Sequence, residues 1–210
     1  LFAGHPPEEG DRVLYPGCGT GPFVSAVERY CETHGLPVPD GTGIELDSEH
    51  LEVARRRHGD ANVEFQERDF LARDLPVECG EFEYVVGNPP YVPIEGLDEA
   101  EKEAYRARFE TAKGRFDLFV LFFERALDLL AEGGRLVFIT PEKFEYTETT
   151  AALRRHLAEY HIVEIDHVEE DAFDGLITFP TITTVQNGTP GETRIVARDG
   201  EERTVTLPRD

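Results

Sequence analysis

The sequence predicts one α/β domain built on a largely parallel β-sheet with helices on its faces. Short apolar runs alternate along the chain with segments in which apolar residues recur at helical spacing. Glycine-rich or polar turns follow several of these runs, as expected where strands end at a ligand-binding edge. A chain of 210 residues with 40% hydrophobic content is long enough for one well-buried core.

The first half of the chain contains two strand–helix units. The first is a strand over residues 12–15, a glycine-rich turn and a helix that Gly35 ends. The apolar face of that helix is predicted to contain Phe23, Ala26, Val27, Tyr30, Cys31 and His34. The second unit is a strand over residues 42–46 and a helix over residues 51–58. Its predicted N-cap is Asp47 or Ser48.

Five further strands and two further helices are predicted from the same patterns. The strands cover residues 63–68, 82–87, 135–140, 162–168 and 181–185, and one helix covers residues 148–159. The other helix starts at Asp117 and is ended by Gly133 and Gly134. Its wide apolar stripe consists of Phe119, Phe122, Phe123, Ala126, Leu127 and Leu130. Residues 97–115, which are charged and weakly amphipathic, predict a mobile excursion outside the core.

Acidic residues outnumber basic residues across the whole chain. There are 43 Asp and Glu against 21 Lys and Arg, which gives a formal net charge of −22. Such a surface repels itself at low salt but is screened near 1 M salt, where the Debye length is about 3 Å. Because the acids are spread along the chain, the composition is typical of a halophilic protein's solvated surface rather than of an acidic interaction tail.

Targeting, membrane and metal-binding patterns are not found in the sequence. It contains no apolar run of 18 residues and no signal peptide, so we expect a cytoplasmic protein without a membrane partner. Cys18, Cys31 and Cys79 form no CxxC pair, and the seven histidines are scattered. We therefore expect reduced thiols, no disulfide and no metal site.

The first predicted strand runs into "LYPGCGTGPF", residues 14–23. Gly17, Gly19 and Gly21 allow the backbone to approach a ligand closely, and the helix N-terminus that follows favours negative charge. The spacing is not the GxGxxG dinucleotide fingerprint, because Pro22 stands where the third glycine is required. By itself, such a turn is also consistent with ordinary strand-to-helix packing.

Carboxylates end the next two strands. Glu45 in "GIELD" is placed to accept hydrogen bonds from both hydroxyls of a ribose, and Asp69 in "ERDFL" from the exocyclic amine of an adenine. Either acid alone is typical of a solvated turn. Together with the glycine turn, in strand order at the carboxyl edge of one sheet, they predict an adenosine pocket.

The fourth strand ends in "GNPPY", which predicts a rigid set of hydrogen-bond acceptors. Pro89 and Pro90 lack an N–H and restrict the residue before each of them to extended conformations. The Asn88 side-chain oxygen and the Pro89 carbonyl could both accept from one –NH₂ group, while Tyr91 offers a flat face to the ring that carries it. Two acceptors that draw the amine hydrogens out of the ring plane would localise its lone pair toward an electrophile such as a sulfonium methyl. A plain turn is the alternative interpretation.

These motifs together resemble a known family. The series "PGCGTGPF", "GIELD", "ERDFL", "GNPPY", "GRFDLFVLFFERALDLL" and "GGRLVFITPEKF" is similar to the catalytic domain of adenine-N6 DNA methyltransferases, the amino-methyltransferase class found in restriction-modification systems. The resemblance covers residues 10–186. It implies a Rossmann-like class I S-adenosylmethionine-dependent methyltransferase fold, with a seven-stranded mixed sheet whose last strand is antiparallel. It also implies S-adenosyl-L-methionine as methyl donor and DNA as partner.

The resemblance also implies roles for individual residues. The three glycines would line the methionine side of the donor, Glu45 would hold its ribose and Asp69 its adenine, with Phe70 packing near the ring. The implied donor-binding set is Pro16, Gly17, Gly19, Gly21, Glu45, Leu46, Asp69, Phe70 and Asn88. A flipped adenine would lie against the implied catalytic set of Asn88, Pro89, Pro90, Tyr91 and Phe173. Phe179 is the alternative to Phe173 as the second aromatic side chain.

The sequence departs from the family in three respects. The segment before the first strand, which in the family closes over the methionine moiety, is nearly absent. Tyr15 stands where the family usually has an acid near the donor's ammonium group. Residues 1–188 would form the catalytic domain, whereas residues 189–210 predict only a short β-hairpin, with strands over 193–197 and 203–207, or the start of a truncated recognition region. We therefore expect the DNA-recognition domain of the parent protein to be missing.

Three functions remain open at this point. The leading hypothesis is methyl transfer to adenine in DNA after base flipping. The second is an amino methyltransferase that acts on a protein glutamine or on RNA, because the "NPPY" acceptors suit any planar –NH₂ group. The third is a non-catalytic S-adenosylmethionine-binding module, which the replacement of the acid by Tyr15 would permit.

Overall fold

One mixed β-sheet organises residues 1–75, 81–168 and 179–207, the parts of the chain that the computed structural model describes. Its strands are β1 (Arg12–Pro16), β2 (Asp40–Glu45), β3 (Val63–Glu67), β4 (Phe82–Gly87), β5 (Leu130–Pro141), β6 (His161–His167), β7 (Pro180–Gln186), β8 (Glu192–Val196) and β9 (Glu202–Thr206). Their order in the sheet is β3-β2-β1-β4-β5-β7-β6-β8-β9, and β7 is antiparallel to both β5 and β6. The predicted α/β fold with a mixed sheet is confirmed.

Helices cover both faces of this sheet. In the described part of the chain they are α1 (Pro22–His34), α2 (Ser48–Arg57), α3 (Glu99–Arg108), α4 (Leu118–Leu129) and α5 (Ala151–Leu157). Successive residues of a strand point to opposite faces, so Val13 packs in one core with Val27 of α1 while Leu14 packs in another with Phe119 of α4. Strand β1, which is buried from Val13 to Pro16, therefore contributes to both cores.

The sheet was expected to contain seven strands, but in the described residues it contains nine, because the separately predicted hairpin joins it. The predicted C-terminal hairpin is present as β8 and β9, but β8 pairs in parallel with β6 and so extends the sheet. The Thr193 hydroxyl donates a 2.7 Å hydrogen bond to the Ile162 carbonyl, and Thr193 is buried. The backbone N–H and C=O groups along the outer side of β6 pair with β8 and so bring the hairpin into the sheet. The polar composition of β8 and β9 does not predict this pairing.

The prediction that residues 97–115 form a mobile excursion is also wrong. Asp98 and Glu101 form a reciprocal capping box that starts α3. Tyr105 at the end of this helix, and Phe109 just beyond it, are buried in the core that contains α4. The stretch that follows is held by the buried carboxylate of Glu124, which accepts hydrogen bonds from the N–H groups of Glu110 and Thr111 and from the Thr111 hydroxyl.

Two helix predictions need smaller corrections. In α1 the buried residues are Val24, Val27 and Cys31, whereas the predicted face members Ala26, Tyr30 and His34 are exposed. The helix therefore rests on the sheet through a face rotated from the predicted one, although Gly35 ends it in the left-handed conformation, as predicted.

The boundary between α4 and β5 lies earlier than the sequence predicts. The helix ends at Leu129, and β5 begins at Leu130, so Gly133 and Gly134 lie inside the strand. They occupy an irregular stretch, because Phe82 pairs with Leu130 whereas Tyr84, two residues on, pairs with Arg135. Gly133 has a φ of 79°, which suits this bulge better than a regular strand.

None of the helices in the described ranges combines the length and apolar content needed to cross a membrane. The same residues bring together no group of three or more His, Cys, Asp or Glu side chains that could hold a metal ion.

We expect the substitution Glu124→Ala to lower the free energy of unfolding by about 3 kcal/mol, since it leaves the buried N–H and hydroxyl of Thr111 and the part-buried N–H of Glu110 without their charged acceptor. Denaturant unfolding in high salt measures this change. The matched control is Glu103→Ala, which removes the same charge from an exposed position of α3 and should change stability by less than about 0.5 kcal/mol. Equal stability of the two variants would contradict the proposed role of Glu124.

Candidate active site

The candidate site lies where the strand order reverses direction, between β1 and β4. Both strands run parallel, with Val13 paired to Tyr84 and Leu14 to Val85. Ligands of open α/β sheets bind in the crevice outside the carboxyl ends of the strands at such a switch point. An ideal Cβ on Gly87 would lie 3.1 Å from the Pro16 carbonyl oxygen, so the two strands approach each other closely here. The loops that follow them are therefore neighbours.

The loop after β1 is the glycine turn. Gly17, Gly19 and Gly21 all have left-handed backbone conformations, with φ of 61°, 54° and 83°. At Gly21 a side chain is also excluded by space, because an ideal Cβ would lie 2.6 Å from Nε2 of His58. The three glycines therefore leave the surface of the turn open to the close approach of a ligand at the start of α1.

Glu45, at the end of β2, holds the glycine turn. One carboxylate oxygen accepts a 2.8 Å hydrogen bond from the Gly19 N–H, and the other accepts from the N–H groups of Leu46 and Asp47, both at 2.9 Å. An ionised carboxylate has about four acceptor positions, so capacity for a ribose hydroxyl remains. Leu46 beside it is 69% exposed, which leaves an apolar side chain at the mouth of the pocket.

The far end of α2 holds the glycine turn from its other side. Arg57 donates a 3.1 Å hydrogen bond to the Thr20 hydroxyl. The ring of His58 is buried next to Gly21, with Nε2 3.5 Å from the Ser25 hydroxyl and Nδ1 3.3 Å from a carboxylate oxygen of Glu28. Sequence reasoning did not identify His58 as part of the site.

The loop after β3 brings Asp69 and Phe70 to the same crevice. Asp69 Oδ1 accepts a 2.8 Å hydrogen bond from the Leu71 N–H, which fixes the turn. The buried ring of Phe70 lies 4.9 Å from the ring of Phe122 in α4, measured between centroids. Phe122 also lies 3.7 Å from the position of a Gly17 Cβ, so it forms an apolar floor under both loops. The sequence had indicated Phe122 only as a member of a core helix face.

The "NPPY" loop follows β4. Asn88 is exposed at the crevice while Pro89 is buried. The Tyr91 hydroxyl donates a 2.6 Å hydrogen bond to Oδ1 of Asn88 and lies 3.1 Å from the Ile139 carbonyl oxygen of β5. The half-buried Tyr91 ring meets the ring of Phe119 edge-on, with 6.5 Å between centroids. Burial raises the pKa of Tyr91 to about 12, so the hydroxyl keeps its proton at neutral pH.

The continuation of this loop is anchored at the start of α4. The Ile94 N–H donates to the Phe116 carbonyl at 2.9 Å, and the Leu118 N–H donates to the Val92 carbonyl at 2.8 Å. Lys143, in the loop after β5, forms an ion pair with the Asp117 carboxylate. This lysine, which sequence reasoning also missed, places a cation near the "NPPY" loop.

The side chains of Tyr15 and Cys18 do not face a ligand in the crevice. Tyr15 is 2% exposed and lies in the core on the α1 side of the sheet, so it cannot replace the acid that the family resemblance leads one to expect. Cys18 is buried, and burial with the nearby Glu45 carboxylate raises the pKa of its thiol to about 12. At neutral pH it remains a thiol and is not an activated nucleophile.

The second aromatic side chain expected to stack on the flipped base is either Phe173 or Phe179. Phe173 lies outside the described residues, so its role stays a prediction. Phe179 is 39% exposed, and its carbonyl accepts a 2.9 Å hydrogen bond from the Glu142 N–H just beyond β5. The guanidinium of Arg198 lies 4.6 Å from the centre of its ring and is ion-paired with Glu142. One face of Phe179 is therefore covered by a cation.

Comparison with known families identifies a matching family model. The model of the Eco57I restriction-modification methylase matches residues 42–173. The type II methyltransferase M.PaeR7I of Pseudomonas aeruginosa is 36% identical to this chain over 95% of the chain and 41% of its own length. The type II methyltransferase M.TthHB8I of Thermus thermophilus is 32% identical over 95% of the chain and 45% of its own length. The chain thus spans less than half the length of these two relatives.

Solved structures show the same fold. The methyltransferase subunit of a type I restriction-modification system from Streptococcus thermophilus superposes with a TM-score of 0.76 at 18% identity, covering 93% of this chain and 43% of that one. A protein from Listeria monocytogenes assigned to the class I S-adenosylmethionine-dependent methyltransferases superposes with a TM-score of 0.75 at 20% identity, covering 91% and 59%. The fold is therefore that of class I methyltransferases.

We expect Glu45→Ala to weaken the binding of S-adenosylhomocysteine roughly 10- to 100-fold, because a charged acceptor is lost and the Gly19 N–H loses its partner. Calorimetry in high salt measures the dissociation constant. Glu32→Ala, which removes the same charge from an exposed position near the end of α1, is the control and should leave binding unchanged.

A ligand analogue separates direct contact from support of the turn. If Glu45 holds the ribose, removing the 2′ and 3′ hydroxyls from S-adenosylhomocysteine should weaken its binding to the unmodified protein but have little further effect in Glu45→Ala. Equal losses in both proteins would place the ribose partner elsewhere.

Proposed function

This chain belongs to the Eco57I restriction-modification methylase family, whose model matches more than half of it, and on that premise we propose that it methylates the exocyclic amine of adenine in DNA. S-adenosyl-L-methionine is the methyl donor that the family and the class I fold imply. The observation that carries the proposal is the position of the "NPPY" acceptors directly beside the glycine turn, at the switch point of the sheet. An amine held by one loop would lie next to a donor held by the other.

The residues present fit the proposed donor. Three residues of the turn are glycines without a side chain, and Glu45 retains acceptor capacity for one ribose hydroxyl. Asp69 uses one oxygen in its own turn, which leaves the other for an amine. Leu46 supplies exposed apolar surface beside this pocket, and the buried ring of Phe70 lies beneath it. Pro16 completes the approach of the turn to β4.

The acceptor loop would activate a poorly nucleophilic amine. When bound, S-adenosyl-L-methionine supplies an electrophilic methyl group on a sulfonium. Asn88 Oδ1 and the Pro89 carbonyl oxygen would each accept a hydrogen bond from one N–H of the substrate amine. These two hydrogen bonds would direct the lone pair of the amine at the methyl group. Because these acceptors are fixed by Pro89, Pro90 and the anchoring of the loop at α4, little reorganisation is needed in the transition state.

Adenine is the proposed acceptor base. The family model and the two relatives named above support a restriction-modification methylase. Adenine and cytosine both carry an amine next to a ring nitrogen, so the acceptors alone do not separate them. The proposal of adenine rests on the resemblance of the "NPPY" series, and a base in duplex DNA must be flipped out before it can reach this crevice.

Parallel assays with a labelled donor test the substrate class. The full polypeptide that carries residues 1–210 is offered duplex DNA, RNA and a glutamine-containing peptide in high salt, and digested DNA is analysed for methylated adenine and cytosine. Methyladenine as the product supports the proposal. Product only in the RNA or peptide reaction, or only methylcytosine in DNA, overturns it.

We expect Asn88→Ala to reduce methyl transfer by about 10²- to 10³-fold, as for other lost acceptors or donors aimed at developing charge, while S-adenosylhomocysteine binding stays within a factor of two. Single-turnover kinetics and calorimetry provide the two measurements. Asn62→Ala is the matched control. Asn62 lies just before β3, at the amino ends of the strands and therefore away from the crevice, and its side chain donates a hydrogen bond to Asp40. Near-normal turnover in Asn88→Ala would refute the assigned role.

A further inference from the structure

The Tyr91 hydroxyl is hydrogen-bonded in a way that the proposed reaction has not used. It lies between two carbonyl oxygens, 2.6 Å from Asn88 Oδ1 and 3.1 Å from the backbone oxygen of Ile139. Both oxygens can only accept hydrogen bonds, and a phenol has one proton. The hydroxyl therefore serves one of the two acceptors well at any moment, and the shorter distance indicates Asn88.

The distance also defines which end of the Asn88 amide faces the hydroxyl. A separation of 2.6 Å is normal for an O–H donor and an oxygen acceptor, but it is short for a nitrogen and an oxygen. The side chain of Asn88 is exposed, and the terminal torsion of an asparagine is soft and roughly two-fold. Without a fixed donor, the amide could present its NH₂ group to the substrate amine, and two donors would then face each other.

The β5 strand keeps the hydroxyl in place. Ile139 pairs with Ile182 of β7 in the interior of the sheet, so its carbonyl is a fixed point of the fold. The Tyr91 ring is held against Phe119, and the hydroxyl stays protonated at neutral pH. The Tyr91 ring thus packs against α4, and its hydroxyl lies between Asn88 of its own loop and the Ile139 carbonyl of β5.

We propose that the Tyr91 hydroxyl is a positioning group, which holds Asn88 Oδ1 ready for the substrate amine and turns to the Ile139 carbonyl once the amine donates to that oxygen. The inference rests on the proposed function and deepens it. The ring of Tyr91 and its hydroxyl then have separate roles: the ring contacts the base, and the hydroxyl acts through Asn88. No covalent step involves the hydroxyl, and its proton stays on Tyr91 throughout.

The substitution Tyr91→Phe tests this role, because it keeps the ring and removes only the hydroxyl. We expect kcat to fall about tenfold, the effect of one neutral hydrogen bond, while KM for DNA and the dissociation constant of S-adenosylhomocysteine stay within a factor of two. Tyr84→Phe is the matched control on the preceding strand β4, where the hydroxyl lies 2.9 Å from Nδ1 of His5 and 3.1 Å from its carbonyl oxygen. It should leave kcat unchanged.

A double variant distinguishes positioning from direct contact with the substrate. If the hydroxyl acts through Asn88, adding Tyr91→Phe to Asn88→Ala should cause no further loss of rate. Independent, multiplying losses would show that the hydroxyl contacts the substrate itself and would overturn the inference. An unchanged kcat in Tyr91→Phe would overturn it as well.

A second readout keeps the inference separate from the proposed function. In nitrogen-15 spectra, the side-chain NH₂ signals of Asn88 should shift and become more mobile in Tyr91→Phe but not in Tyr84→Phe. This holds whether or not methylated product forms. Absence of any methylated product from the unmodified protein would refute the proposed function. Unchanged Asn88 signals in Tyr91→Phe would instead refute the positioning role of the Tyr91 hydroxyl.

Discussion

The close approach of β1 and β4 is the constraint on which the candidate site depends. Gly87 has no side chain, and any Cβ there would press on the Pro16 carbonyl oxygen from 3.1 Å. A larger residue would push apart the two loops that follow, which carry the glycine turn and Asn88. Methyl transfer between two bound molecules requires their reacting atoms to meet at close distance, so the spacing of these strands sets whether reaction is possible at all.

The glycine turn on the donor side of the crevice is held by the end of β2 and by the end of α2. Glu45 of β2 accepts a hydrogen bond from the Gly19 N–H, and Asp47 caps the start of α2. At the end of α2, His58 fills the space that Gly21 leaves open. Because both elements contact the turn, a change in either alters the shape of the pocket. Backbone N–H groups are thereby fixed before any ligand binds, which lowers the entropy lost on binding.

Sequence reasoning identified the parts of the site whose position is local. Glu45 and Asn88 directly follow their strands, so their place at the carboxyl edge follows from the strand assignment alone. Phe122 and Lys143 come from distant segments, and only the packing of α4 and the length of β5 bring them to the crevice. Tyr105 was missed for a different reason: its apolar stripe is narrow and lies among charged residues, although the helical spacing is present in the sequence.

Net charge limits how the proposed site could hold DNA. The chain carries −22, and two cations at the carboxyl edge, Lys143 and Arg198, are already paired with Asp117 and Glu142. A DNA phosphate could bind either cation only by displacing a carboxylate, which would then lie close to the phosphate. Contacts between cations and DNA phosphates weaken steeply as the salt concentration rises. In molar salt, the pairing of Lys143 and Arg198 with carboxylates therefore costs little attraction to DNA. Stacking on the base must then supply most of the affinity for the acceptor, whereas the hydrogen bond between Tyr91 and Asn88 acts on the rate.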